Sequence, residues 1–159
     1  MPSFVSAATS QDGTKVVLTY DEALSTRTAP ATSFTVTSGV GGNDVNVVSA
    51  VNVAGSTVEL TVSNNIKNDE TVKVQYTDPS GSDDADAIQN STPGTDAASL
   101  GTTSVTNNST MPGSTPMYVE ATTSTDGTKI ILTYNKALSS TTAPASAFTV
   151  TTGGSANSV

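Results

Sequence analysis

Asp12-Gly13-Thr14-Lys15-Val16-Val17-Leu18-Thr19-Tyr20 returns later in the chain as Asp126-Gly127-Thr128-Lys129-Ile130-Ile131-Leu132-Thr133-Tyr134. Each copy opens on a tight-turn signal, because glycine tolerates a positive φ, and runs into a segment that alternates with the two-residue period of a strand. Val16, Leu18 and Tyr20 fall on one face, which is expected to be core; Lys15, Val17 and Thr19 fall on the other. The short segment at 5–9, with Val5, Ala7 and Thr9 alternating, supplies a strand on the other side of the turn.

Around this stretch the repetition extends without a gap, residues 4–39 realigning on 118–153 with a shift of 114 positions. Ala23-Leu24-Ser25 returns as Ala137-Leu138-Ser139, Thr28-Ala29-Pro30-Ala31 as Thr142-Ala143-Pro144-Ala145, and Phe34-Thr35-Val36-Thr37 as Phe148-Thr149-Val150-Thr151. That period exceeds the ~20–50 residues of a solenoid repeat and suits a whole domain that buries its own interior. The expected organisation is a complete repeat at 3–109, a linker at 110–116 within the Asn-, Ser-, Pro- and Gly-rich joint 107–116, and a truncated second repeat at 117–159. The second copy lacks counterparts of Val58, Leu60, Val72 and Val74. It is therefore expected to be unable to close a sandwich by itself, and to be loosely ordered or to borrow a sheet edge.

Further strands are expected at 34–37, with Phe34 and Val36 inward, at 44–53, and at 57–62, with Val58, Leu60 and Val62 inward. Two more are expected at 70–77, with Val72, Val74 and Tyr76 inward, and near 104–106. A single helical turn is expected within 28–33, with Thr28 as its cap and Pro30 in its first turn. About seven short strands separated by turn signals predict an all-β, immunoglobulin-like β-sandwich, with a barrel as the second choice. The four Tyr and three Phe sit nearly all at strand positions and are expected in the core, not on a sugar-stacking platform.

Composition excludes several functions. Fourteen acidic against six basic residues give a net charge of −8. That argues against nucleic acid, whose phosphates need Lys and Arg, and against an anionic membrane surface. No apolar run approaches the ~20 residues of a spanning helix, so no direct membrane insertion is expected. There is no Cys, His or Trp, which removes thiol nucleophiles, the imidazole base and the usual zinc ligands. Met1-Pro2-Ser3 does not begin a signal peptide; an extracellular placement is expected, with the export signal outside these residues.

The acidic cluster follows the strand at 70–77. Asp78, Asp83, Asp84, Asp86 and Asn90 offer the oxygen ligands that a hard cation such as Ca²⁺ takes from loops. The spacing is not that of an EF-hand, and the alternative is a solvated acidic loop whose side chains cap turns. Paired carboxylates also occur in glycoside hydrolases, but a sandwich of this size without Trp offers no walled cleft, and no base is present to activate Ser or Thr. Asn90-Ser91-Thr92 and Asn107-Asn108-Ser109 match the glycosylation pattern, as chance predicts in so Asn-, Ser- and Thr-rich a chain.

Taken together, Asp12-Gly13-Thr14-Lys15 leading into Leu18-Thr19-Tyr20, Ala23-Leu24-Ser25, Ala29-Pro30-Ala31, Phe34-Thr35-Val36 and Val72-Lys73-Val74-Gln75-Tyr76-Thr77-Asp78-Pro79 resemble the SWM-type repeat. So do residues 84–90 and 95–98. Such repeats occur in very large cell-surface proteins of marine cyanobacteria and in other bacterial surface proteins. The resemblance implies an immunoglobulin-like bead in a giant exported protein. Related bacterial domains often end in an Asp, Gly, Asn pattern; Gly94-Thr95-Asp96 departs from it, which weighs against carrying over a terminal cation site. The expected function is a non-catalytic structural or adhesive module, a stalk or spacer whose partners are neighbouring repeats. The alternatives are a module binding a carbohydrate, a protein or another cell-surface ligand, and an accessory domain of an extracellular enzyme.

Overall fold

Alternating β-branched segments need a second apolar surface to face, and the first half of this chain supplies one. The computed structural model describes residues 1–80, 85–92, 94–113 and 115–157. They fall into two units, Met1–Ser114 and Thr115–Val159.

The first unit contains β1 (Phe4–Thr9), β2 (Lys15–Tyr20), β3 (Phe34–Ser38), β4 (Asp44–Asn46), β5 (Val48–Ala54), β6 (Thr57–Val62), β7 (Val72–Tyr76) and β8 (Leu100–Val105). One four-stranded sheet has the order β1-β2-β6-β5 and the other β4-β3-β7-β8. Lettered A to G along the chain, with β4 as C′, the order is A-B-E-D and C′-C-F-G, which coincides with the strand order of an immunoglobulin-type sandwich. Every neighbouring pair within the two sheets is antiparallel. The end of β1 also meets the end of β8 in parallel, with Thr9 N donating to Thr106 O at 2.9 Å and Thr106 N to Ala7 O at 2.9 Å, so one strand stitches both sheets.

The faces expected to be core are core. Val16, Leu18, Val58 and Leu60 of one sheet and Val36, Val72, Val74 and Tyr76 of the other are at most 2% exposed and share one cluster. Phe34 and Tyr76 meet at 5.2 Å between ring centroids, and Phe4 and Tyr20 edge to face at 6.1 Å.

Three local expectations are corrected. Val5 is exposed, because a β-bulge between Phe4 and Ser6 shifts the strand out of strict alternation. The single strand expected at 44–53 is two strands. β4 pairs with β3 and β5 with β6, and the chain crosses between sheets at Val47. The helical turn exists, a 3₁₀ turn at Ala31–Ser33 entered from Pro30, but no side chain caps it, and the Thr28 hydroxyl is buried without a hydrogen bond.

The joint region is tied to the first unit as far as Gly113. Asn107 Nδ2 donates to Lys67 O at 2.7 Å and Glu70 O at 2.9 Å, while its Oδ1 accepts from the Thr9 hydroxyl and from Ser109 N. Ser109 is buried, with its hydroxyl on Ile66 O at 2.7 Å. Thr110 N donates to Gln11 O, and Gly113 N to Asn68 Oδ1.

The second unit holds β9 (Tyr118–Thr123), β10 (Ile130–Tyr134), β11 (Val150–Thr152) and β12 (Ser155–Asn157), in two two-stranded sheets, with a 3₁₀ turn at Ala145–Ala147. It copies the first unit closely. The register irregularity recurs between Thr133 and Tyr134, and Tyr118 and Tyr134 meet edge to face at 6.3 Å. After Gly153 the ungapped alignment ends. Val150 pairs with Asn157, whereas Val36 pairs with Asn46, so the turn between these strands is three residues shorter in the second unit. What differs most is burial: Ile130, Leu132, Leu138 and Phe148, counterparts of buried Val16, Leu18, Leu24 and Phe34, are 48, 38, 56 and 41% exposed.

Candidate functional site

The acidic loop leaves β7 at Tyr76 and re-enters the core at Ala87 and Ile88, both essentially fully buried. Tyr76 explains the return, since its hydroxyl accepts from Ile88 N at 3.0 Å. From there a small hairpin plugs the sandwich. Ala97 N donates to Ile88 O at 2.6 Å and Asn90 N to Thr95 O at 3.1 Å, while Ser25 N donates to Gln89 O and Ser91 N to Ala23 O.

Of the five residues expected to hold a cation, Asp83 and Asp84 lie outside the described residues. Asn90 is buried, and its Oδ1, the atom a cation would use, already accepts from Gly94 N and Thr95 N at 2.9 Å each. Its Nδ2 faces Glu22 Oε2 at 3.4 Å. Asp78 Oδ1 accepts from Ser80 N at 3.2 Å, and Asp78 N donates to the Ser99 hydroxyl at 2.9 Å. Asp86 is on the exposed side of the loop. Among the described residues, no group of three or more His, Cys, Asp and Glu is placed to hold a metal ion. Asn90 and Asn107, the asparagines that open the two glycosylation patterns named above, both have their side chains engaged in folding the first unit. No local signal marked either role, because their acceptors and donors belong to backbone that the turn chemistry of each stretch does not specify.

A second carboxylate feature lies in the repeated turn. Asp12 Oδ1 accepts from the Ser10 hydroxyl at 2.6 Å, Thr14 N at 3.1 Å and the Thr14 hydroxyl at 2.8 Å. These donors, the Ser10 hydroxyl foremost, hold the Asp12 carboxyl down to about 2. Asp126 repeats the arrangement with Ser124 and Thr128, and is likewise held at about 2. Both side chains are solvent-accessible, and their hydrogen bonds to the turn's own hydroxyl and backbone donors close the hairpin. A folded-state value below the ordinary 3.8 means that the turn's contribution is fully present above about 3.8 and is lost as pH falls through about 2. NMR titration of Asp12 is expected to show a midpoint near 2, and Ser10→Ala should move it back toward the ordinary value. A midpoint unchanged by Ser10→Ala would refute the assignment of cause.

The feature that remains is the uncovered face of the second unit, a groove of about 900 Å³ lined by Ile130, Leu132, Tyr134, Leu138, Phe148 and Val150 among others. Hydroxyl side chains such as Ser139, Thr142 and Thr149 share this mainly apolar lining.

Comparison with known proteins follows the repeat. The profile of the SWM repeat, described as "Putative flagellar system-associated repeat", matches residues 1–81 and again 107–159. The chain belongs to the SWM repeat family. The match covers both copies of the Asp-Gly-Thr-Lys hairpin, whereas residues 84–98, which contribute to the resemblance in sequence, fall outside it. No curated protein matches this SWM-repeat chain significantly. Among solved structures it is similar to the N-terminal part of the bacterial S-layer protein SbsC, at 18% identity and a TM-score of 0.51, over 77% of this chain and 26% of that one. It is also similar to domains 1–6 of SbsC, at 20% identity and a TM-score of 0.52, over 77% of this chain and 15% of that one. At such identities the likeness concerns the fold, and the SWM-repeat chain spans about a quarter or less of those chains' length. No helix among the described residues is long and apolar enough to cross a membrane.

Proposed function

We propose that this chain is a non-catalytic structural module of a large cell-surface protein, acting as a stalk or spacer whose partners are neighbouring repeats. The observation that carries the reading is the closed core of the first unit. A bead that buries Leu18, Leu60 and Tyr76 almost completely from its own strands can be strung beside copies of itself without further chemistry, and near-identical repeats serve reach and multivalency. Membership of the SWM family and the fold shared with S-layer domains support exposure at the cell surface. A carbohydrate-binding role gains no support from the described residues of the first unit, among which the large exposed hydrophobics are Met1, Val5, Val40, Val45 and Val47, with no aromatic among them.

Antibody raised against the first unit is expected to label intact cells of the source organism; labelling that appears only after lysis would overturn the surface assignment. Calcium stabilisation through Asp78, Asp83, Asp84 and Asp86 is a finer part of the same reading, supported by the acidic loop alone. Asn90 would have to surrender two backbone hydrogen bonds to join it. If the loop holds the cation, calorimetric melting of the chain rises with calcium and falls back with chelator, because a ligand specific to the folded state raises the melting temperature. An unchanged transition at millimolar calcium removes the cation.

A further inference from the structure

The first unit grips its own departing chain in a way that burying a core does not require. Residues 106–110 run parallel to residues 7–11 and are bonded to them at 106, 108 and 110. Thr106 N donates to Ala7 O, and Thr9 N to Thr106 O, at 2.9 Å each. The Thr9 hydroxyl accepts from Asn108 N at 2.8 Å and donates to Asn107 Oδ1 at 3.1 Å. Thr110 follows, its N–H donating to Gln11 O at 2.8 Å and its hydroxyl to the same oxygen at 3.0 Å. The departing segment is also fastened to residues 66–70. The Ser109 hydroxyl donates to Ile66 O at 2.7 Å, and Asn68 N donates to Met111 O at 2.8 Å. Ile66 N in turn donates to Gly13 O at 2.8 Å, so the three segments are tied together. Ala7 and Thr9 return in the second copy as Ala121 and Thr123.

Direction gives these bonds a mechanical meaning. The chain enters β1 at the N-terminal end of the parallel pair and leaves beyond residue 110 at its C-terminal end. Tension along the chain therefore draws the two segments in opposite senses along their common axis. The bonds between them are loaded in shear, all at once. Had the first and last segments been antiparallel, the same tension would have opened them from one end, one bond after another.

From this arrangement we propose that the first unit is built to bear tension: residues 7–11 and 106–110, fastened to 66–70, form a shear clamp that has to rupture before the core opens. Forced unfolding is governed by the rate of crossing that barrier and not by the overall stability of the fold. The clamp therefore adds resistance to pulling that the packing of Leu18, Leu60 and Tyr76 does not supply. Carrying load in the cell rests on the stalk role proposed above; the clamp itself is a property of the folded unit.

The test is single-molecule force spectroscopy on the full chain, which has no cysteine of its own, so added cysteines fix the points of attachment. Tethered by the two chain ends, the first unit should open in one step that releases residues 4–113 at about 3.3–3.6 Å each. Tethers at Ser3→Cys and Gly101→Cys pull the parallel pair from one end and peel it. Ser3 is exposed, and a Cβ at Gly101 meets nothing within 4 Å. At equal force the peeled unit should survive about ten times less long, since one bond at a time then carries the load. Thr9→Val replaces the hydroxyl that Asn107 and Asn108 share, and should shorten the end-tethered lifetime about tenfold. Val74→Ala, in the buried core of the other sheet, should lower the urea midpoint at least as much as Thr9→Val. It should change the end-tethered lifetime less than about twofold, because the core opens only after the clamp. Equal lifetimes in the two tethering geometries overturn the proposal. So does a Val74→Ala lifetime shortened as much as that of Thr9→Val. Either failure leaves the surface assignment standing, which antibody labelling of intact cells decides separately.

Discussion

Leu18→Ala should lower the stability of the first unit by about 2–5 kcal/mol, the range for deleting a fully buried leucine side chain, while its repeat counterpart Leu132→Ala should cost less than about 1 kcal/mol. The two residues share the same local sequence, Thr-Lys, two β-branched residues, then Leu-Thr-Tyr. They differ in what lies opposite. Leu18 is fully buried, in a cluster that includes Val58, Leu60 and Val74, whereas Leu132 keeps 38% of its surface in water. Removing Leu18 leaves a cavity whose walls are held by both sheets; removing Leu132 enlarges an open groove. Urea melts report the first unit, and amide exchange of Ile130–Tyr134 reports the second. Equal losses at both sites would mean that the second unit possesses a closed core after all.

Gly13→Ala should likewise be far more damaging than Gly127→Ala. Both glycines have positive φ, 69° and 68°, so an alanine at either pays about 1–2 kcal/mol for the left-handed conformation. At Gly13 a Cβ would also run into the carbonyl oxygen of Ile66, a backbone atom, and approach the Ser109 hydroxyl oxygen at 3.0 Å. Ile66 cannot move away freely, because its N–H donates to Gly13 O at 2.8 Å and its side chain is fully buried. Such overpacking adds about 1–3 kcal/mol. At Gly127 nothing lies within 4 Å, so only the conformational cost remains. Chemical denaturation of Gly13→Ala, with exchange of the Ser124–Lys129 turn amides for Gly127→Ala, separates the two. A Gly13→Ala variant no less stable than expected from φ alone would show that the segment carrying Ile66 yields.

Paired substitutions of this kind separate two copies that are nearly alike in sequence and local backbone but unlike in burial. The faces of β2, β6 and β7 were legible because period-two alternation of Val, Leu and Tyr has one physical solution, a strand with one side in the core. The Asp-Gly turn was legible because its side-chain and backbone donors are all within two residues of Asp12. Val5 was misplaced because a bulge inserts one residue without changing composition. The segment 44–53 read as one strand because both of its halves favour extended backbone. The crossing between sheets is decided by which edge each half finds, and Asn46 is buried there by partners at positions 38, 63 and 64.

The candidate cation site was the least legible part. Asp78, Asp83, Asp84, Asp86 and Asn90 lie close together in sequence, but closeness along a loop does not specify where each oxygen points. Asn90 turned inward to satisfy Gly94 and Thr95 amides, because an unpaired backbone N–H beside the buried Ile88 would be costly.

The amino-acid sequence alone determined the all-β class, the repeat and its hairpin, the core faces of the long strands, and membership in the SWM repeat family, since each depends on local periodicity or on direct comparison of residues. Only the tertiary structure decided which strands share a sheet, that residues 107–113 are bonded into the first unit, and how far the burial of the two copies differs, with Leu18 fully buried and Leu132 38% exposed. Burial belongs to pairs of surfaces: the same strand is core or groove according to whether β6 and β7, some forty to sixty residues further along in the first unit, lie across from it.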